Sequence, residues 1–166
     1  MNIDALLADA VTRVRERVPT VVGGLEEDDL AWRPDPDANS IAWLIWHLTR
    51  VADDHVAEVA GTQQVWTSDG WYERFGLPFP PDAHGYGHAS ADVAAVRVPS
   101  GLLAGYHEAV AQAVLAYVGT LTPSNLDRVV DERWDPPVTL GVRLLSVLND
   151  DTQHVGQAAY VRGLLP

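Results

Sequence analysis

The stretch SIAWLIWHLTRVADDHVAEVAG, residues 40–61, decides the fold. Ile41, Leu44, Ile45, Leu48, Val51, Ala52, Val56 and Val59 recur at the three-and-four spacing that lays one apolar stripe along an α-helix. Asn39 or Ser40 is placed to cap it by accepting a bond from a free amide of the first turn, and Gly61 ends it. Ahead of it, Pro34 and Pro36 mark RPDPDAN as loop. One polar residue, His47, falls mid-helix at the edge of the stripe.

Working outward, Ile3, Leu6, Leu7, Ala10, Val14 and Val18 give a first helix over residues 3–22, closed by Gly23 and Gly24, with LEEDDL as a short turn after it. A third helix opens at Ser100 and runs through Leu103, Tyr106, Val110, Val114 and Val118, and Leu121 to Leu126 reads as a turn with a brief helix. Thr139 caps a fourth, whose face passes through Leu144, Leu148, Thr152, Val155 and Ala159 to residue 164. VVDERWDPPVTL is β-branched and then broken by prolines, so it reads as an extended connection. From Thr62 to Pro99 the pattern decays into Trp, Tyr, Gly and Pro, apart from a helical turn near Ser90 to Val96. The expectation is an all-α four-helix bundle, one domain over residues 1–166. A long irregular connection joins its second and third helices, in a topology other than simple up-and-down.

Composition narrows the function. With 47% hydrophobic and 20% charged residues among 166, there is material for a continuous core. Eleven basic residues against 23 acidic ones give a net charge of −12, which repels nucleic acid and anionic membrane surfaces. The absence of cysteine excludes a disulfide framework, a zinc–thiolate site and a thiol nucleophile of the chain's own. No apolar run approaches a membrane span, and the first residues do not build a signal-peptide core, so the expected location is cytoplasmic. All basic residues are Arg, a bias associated with high-GC genomes.

A cysteine-free chain builds a transition-metal site from imidazole and carboxylate. In NDDTQHVGQAAYVRG, His154 lies four residues after Asp150 and three after Asp151, so these groups project from one side of the helix. That spacing is half of a metal site, and equally the spacing of a surface hydrogen-bonded pair. His47 alone reads as an interface histidine. His55 reads as buried and hydrogen-bonded, His84 and His88 as loop polarity facing solvent, and His107 as a surface position without a role.

RPDPDANSIAWLIWHLTRV, together with the carboxylate-x-x-x-His-x-Gly-Gln run of the last helix, resembles the DinB-like superfamily, in particular its actinobacterial mycothiol-dependent branch of mycothiol S-transferases and maleylpyruvate isomerase N-domains. The resemblance covers essentially the whole chain. It implies a four-helix bundle, commonly dimeric, holding one divalent metal through His47, Asp150 and His154. Many members carry His where this chain has Asp150, and the mycothiol branch more often Glu, one methylene longer. Asp151 is the alternative ligand or an acceptor orienting His154, and Gln157 a candidate outer hydrogen-bond partner.

Three protein ligands leave coordination positions free, the arrangement of a catalytic metal. Two imidazoles and a carboxylate suit zinc foremost, and nickel, iron or manganese as well. The resemblance implies that the metal activates mycothiol as co-substrate, and the leading expectation is a thiol S-transferase that conjugates it to small electrophiles in detoxification. A hydrolase with metal-activated water and a non-catalytic dimeric bundle are the alternatives. For contacts to thiol or substrate the candidates are Trp43 and Trp46 beside His47, Trp66 and Tyr72 of the aromatic-rich connection, and Arg162. Each also has a plain packing or pairing explanation.

Overall fold

Ser40 caps the central helix, its Oγ accepting from the Trp43 amide at 3.1 Å. Gly61 closes that helix with φ +69°, a left-handed conformation open to glycine at little steric cost. The structure is a computed structural model describing residues 2–166. Its helices are α1 (Ile3–Val22), α2 (Glu27–Ala31), α3 (Ile41–Ala60), α4 (Val65–Ser68), α5 (Trp71–Phe75), α6 (Ser90–Ala95), α7 (Ser100–Val118) and α8 (Leu140–Gly163). The four long ones match the four periodic segments of the sequence.

Helix α3 packs against α7 and α8, and α1 packs against the same two, so the order around the bundle is α1, α7, α3, α8. Long helices consecutive in the chain, α1 with α3 and α7 with α8, therefore sit diagonally, unlike an up-and-down bundle. The core is one cluster joining Val14 and Val18 of α1, Leu44 and Leu48 of α3, Val110 and Val114 of α7, and Leu144 and Val155 of α8.

Helix α3 is buried nearly all round, although its sequence marks a single stripe. The connection after it wraps its outer side, and buried Arg50 ties that wrapping down. The Arg50 guanidinium donates to the Ala83 carbonyl at 3.0 Å, to Gln64 Oε1 at 2.9 Å and to the Tyr106 hydroxyl at 3.2 Å. Asp53, one turn on, accepts from the Val65 and Trp66 amides and from Tyr106. The buried Arg50 and Asp53 side chains thereby find partners, as low-dielectric burial requires, whereas the Trp46 and Trp66 indole N–H groups have none.

Three expectations need correction. The connection 62–99 holds two further short helices, α4 and α5, because Trp66, Trp71 and Phe75 seal against Tyr106; elements this short carry no readable periodicity. Residues 129–139 form an antiparallel hairpin, β1 (Val129–Asp131) against β2 (Val138–Thr139), around a cis Asp135–Pro136 bond. His107 is not a surface residue: it is buried, its Nδ1 meets Thr49 Oγ1 at 3.1 Å and its Nε2 has no partner. Burial pushes its pKa down to about 4. Among the described residues no helix is long and apolar enough to cross a membrane.

Candidate metal centre

Helix α3 carries His47 to the face that meets α8, where Asp150 and His154 stand one turn apart. One ligating atom from each of the three lies within 4.8 Å of the others. The His154 Nε2 is 3.4 Å from Asp150 Oδ1, and the two imidazole centroids are 4.9 Å apart.

Each imidazole has its outer nitrogen occupied. His47 Nδ1 donates to the His84 carbonyl at 2.5 Å, leaving Nε2 as its lone-pair atom. His154 Nδ1 donates to Gln157 Oε1 at 2.8 Å, which likewise frees Nε2. Buried Asp150 Oδ2 has no protein partner at all. Two oriented imidazoles, each held by an outer hydrogen bond, around an orphaned carboxylate oxygen fit a divalent cation. Electrostatics divides the two histidines. Burial holds His47 below the usual imidazole pKa, whereas the Asp150 hydrogen bond holds His154 above it.

The segment 81–88 acts as a strap over His47. Gly85 sits at φ +94°, and a Cβ there would come within 2.7 Å of His47 Nδ1 and 3.1 Å of the Trp43 and Trp46 rings. Only glycine lets the strap lie this close. Trp43 stacks on His47 with centroids 4.6 Å apart and donates to His88 Nδ1 at 3.2 Å. His88 also stacks on Trp46, so it belongs to this packing and not to a solvent-facing loop surface.

Asp151, carried as an alternative ligand, faces away. It is fully buried beside a small void lined by Leu7, Val11, Val114 and Leu144, where its Oδ1 has no partner and burial raises its pKa well above the usual carboxylate range. Adjacent helical residues point about 100° apart, so only one of the two aspartates reaches the centre.

Of the candidate contacts to thiol or substrate, Trp43 and Trp46 lie against the centre, while Trp66, Tyr72 and Arg162 are engaged away from it. Trp43 and Trp46 pack beneath the site as buried side chains. Trp66 is sealed in the aromatic cluster with the Arg50 guanidinium over its ring, and the Tyr72 hydroxyl donates to the Phe79 carbonyl. Arg162 donates to the Val21 and Gly23 carbonyls, tying α8 to the end of α1.

What does open onto the centre is a cleft of about 950 Å³ between α3, α8 and the hairpin, with His47 and Asp150 at one end. Its other end holds His55, Glu58, Asp131, Arg133, Trp134 and Arg143. His55 is half-buried there, not fully enclosed, and accepts from Arg143 at 2.9 Å. His47, Val51, His55 and Glu58 follow helical spacing, and so do Arg143, Val147 and Asp150, so both walls were readable as faces. The hairpin wall, with Asp131 and Trp134, had no such signal.

A sequence profile described as mycothiol-S-transferase matches residues 6–166. The chain belongs to this DinB-like family. Among solved structures, the crystal structure of a conserved protein from Enterococcus faecalis is 30% identical with a TM-score of 0.92, covering 99% of this chain and 98% of that one. No curated protein matches the chain.

Proposed function

We infer that the chain is a metal-dependent thiol S-transferase that joins mycothiol to small electrophiles. The observation that carries this is the convergence of His47, Asp150 and His154 within 4.8 Å at the end of an open cleft, in a cysteine-free chain of the mycothiol-S-transferase family.

A divalent ion held by these three groups supplies Lewis acidity, lowering a thiol's pKa so that thiolate persists at neutral pH. The chain does the rest. His47, buried and bonded through Nδ1 to the His84 carbonyl, offers a neutral imidazole with its Nε2 lone pair in place. Asp150 Oδ1, 3.4 Å from His154 Nε2, holds that imidazole's pKa above the usual value, so a proton taken up at Nε2 competes with the ion for the same lone pair. The cleft admits thiol and electrophile together. Sulfur bonds to carbon, the thiol proton goes to solvent, and the leaving group departs with its electron pair.

In this reading the ion is zinc, with nickel, iron or manganese also compatible with the donors. Detoxification of small electrophiles in the cytoplasm, by a homodimer, follows from the family resemblance. The test is elemental analysis of the purified protein and its His47→Ala variant, followed by an assay of mycothiol conjugation to a bimane. About one ion per chain and metal-dependent conjugation, both lost in the variant, support the reading. A loaded protein without thiol-dependent turnover that instead hydrolyses an ester or amide replaces it with the hydrolase alternative.

A further inference from the structure

The strap over His47 is held by its main chain. The Ala83 carbonyl accepts from Arg50 at 3.0 Å, the His84 carbonyl accepts from His47 at 2.5 Å, and Gly85 lies against His47 and the Trp43 and Trp46 rings. None of these contacts uses the His84 side chain. Another residue at this position would supply the same carbonyl, so the packing of the strap leaves the imidazole unexplained.

That imidazole lines the cleft together with His47 and Asp150. Its Nδ1 accepts from the Tyr86 amide at 3.3 Å, which in a neutral ring places the hydrogen on Nε2. Among the described residues no acceptor meets this Nε2–H. Clamped main chain on both sides of residue 84 holds the donor in place before any substrate arrives, the condition under which a donor stabilises developing charge without reorganising.

The surroundings say what the donor serves. Asp54, Glu58, Asp131 and Asp150 line the cleft, so negative charge that develops on a substrate there needs a donor aimed at it. Other donors are committed or distant. The Gln64 amide donates to Asp54 and the Ser146 hydroxyl to the Val142 carbonyl, while Tyr86, 86% exposed, reaches into solvent. His55, Arg133, Trp134 and Arg143 stand at the other end of the cleft. Only the His47 ring separates the His84 carbonyl from the metal position.

We propose that the His84 Nε2–H donates a hydrogen bond to the oxygen of the electrophile, and that the site favours electrophiles whose reaction with sulfur builds negative charge on oxygen, namely epoxides and α,β-unsaturated carbonyls. This rests on the transferase reading. In either case the sulfur–carbon bond forms. An epoxide carbon–oxygen bond breaks with its electron pair kept by oxygen, whereas in an unsaturated carbonyl the π pair ends on the carbonyl oxygen. The oxyanion then takes a proton from solvent, which balances the thiol proton released to it. His84 keeps its own proton throughout. Its side chain is thereby a catalytic residue, and its main chain positions His47.

Zinc-loaded full-length protein is compared with His84→Phe and His84→Gln, using mycothiol with cyclohexenone, or with a chlorobimane from which the electron pair leaves on chloride. The kcat for the enone should fall about 100-fold in His84→Phe, the usual loss on removing one oxyanion donor, while bimane turnover stays within about threefold. His84→Gln, which keeps an N–H donor, should recover part of the enone rate. Elemental analysis should find the ion retained in both variants, because the carbonyl on His47 is main chain. Nitrogen NMR of the imidazole rings, with the His84 signal assigned by its absence from His84→Gln, should place the hydrogen on Nε2. Equal losses for both electrophiles, no loss for the enone, release of the ion from both variants, or a hydrogen on Nδ1 overturns the proposal and leaves the transferase reading standing. A loaded wild type without thiol-dependent turnover removes the transferase reading, and the proposal falls with it.

Discussion

His47 Nδ1 lies 2.5 Å from the carbonyl oxygen of His84, a residue 37 positions later in the chain. A carbonyl only accepts, so this contact fixes the proton on Nδ1 and points the Nε2 lone pair toward Asp150 and His154. The strap that delivers the carbonyl is itself held by Arg50 through the carbonyl of Ala83. An outer hydrogen bond thus sets the electronic state of an inner ligand.

Gly85→Ala is expected to break this arrangement. The new Cβ would meet His47 Nδ1 at 2.7 Å at a backbone angle of φ +94°. Divalent-metal affinity should fall about 10–100-fold, the usual cost of disturbing an outer partner. A chelator competition assay reads the loss.

The two neighbouring aspartates should behave oppositely. Asp150→Ala is expected to abolish metal retention in elemental analysis. Asp151→Val should retain it and raise stability by about 1–3 kcal/mol, because an unpartnered buried carboxyl is replaced by an apolar group. The sign follows from its raised pKa: the cost is absent below the unfolded carboxylate pKa and grows as pH rises toward the folded one. Urea denaturation at pH 7 gives the value.

Metal retention should weaken from pH 8 to pH 5, since imidazole must be neutral to ligate. With Asp150 holding His154 above the ordinary imidazole pKa, competition by protons sets in above that value. An affinity constant across this range would exclude imidazole ligation.

His107 predicts acid sensitivity apart from the metal. Its folded pKa, about 4, lies below the usual 6.5, so between these values the unfolded chain binds the extra proton. Stability is therefore lost as pH falls through this window, by on the order of 3 kcal/mol in full. Comparing chelator-stripped wild type with His107→Leu at pH 7 and pH 4.5 isolates the effect, and the variant should show the smaller drop.

Sequence alone determined the four long helices, because helical periodicity is a local property: the stripe of residues 41–59 and the Ser40 cap need no knowledge of their neighbours. It also placed Asp150 and His154 on one side of a helix, and His47 at the edge of an apolar face. Tertiary structure decided what those faces meet. Asp150 and Asp151 differ by one residue, yet one turns to the cleft and the other to the core, a choice set by how α8 rotates against α1, α3 and α7. Burial of His107, the seal around Trp66, the carbonyl on His47 and the Asp131–Trp134 wall all join segments distant in the chain. Such contacts depend on packing geometry that no local pattern encodes, and they turn a histidine and an Asp–His pair into a centre with a cleft.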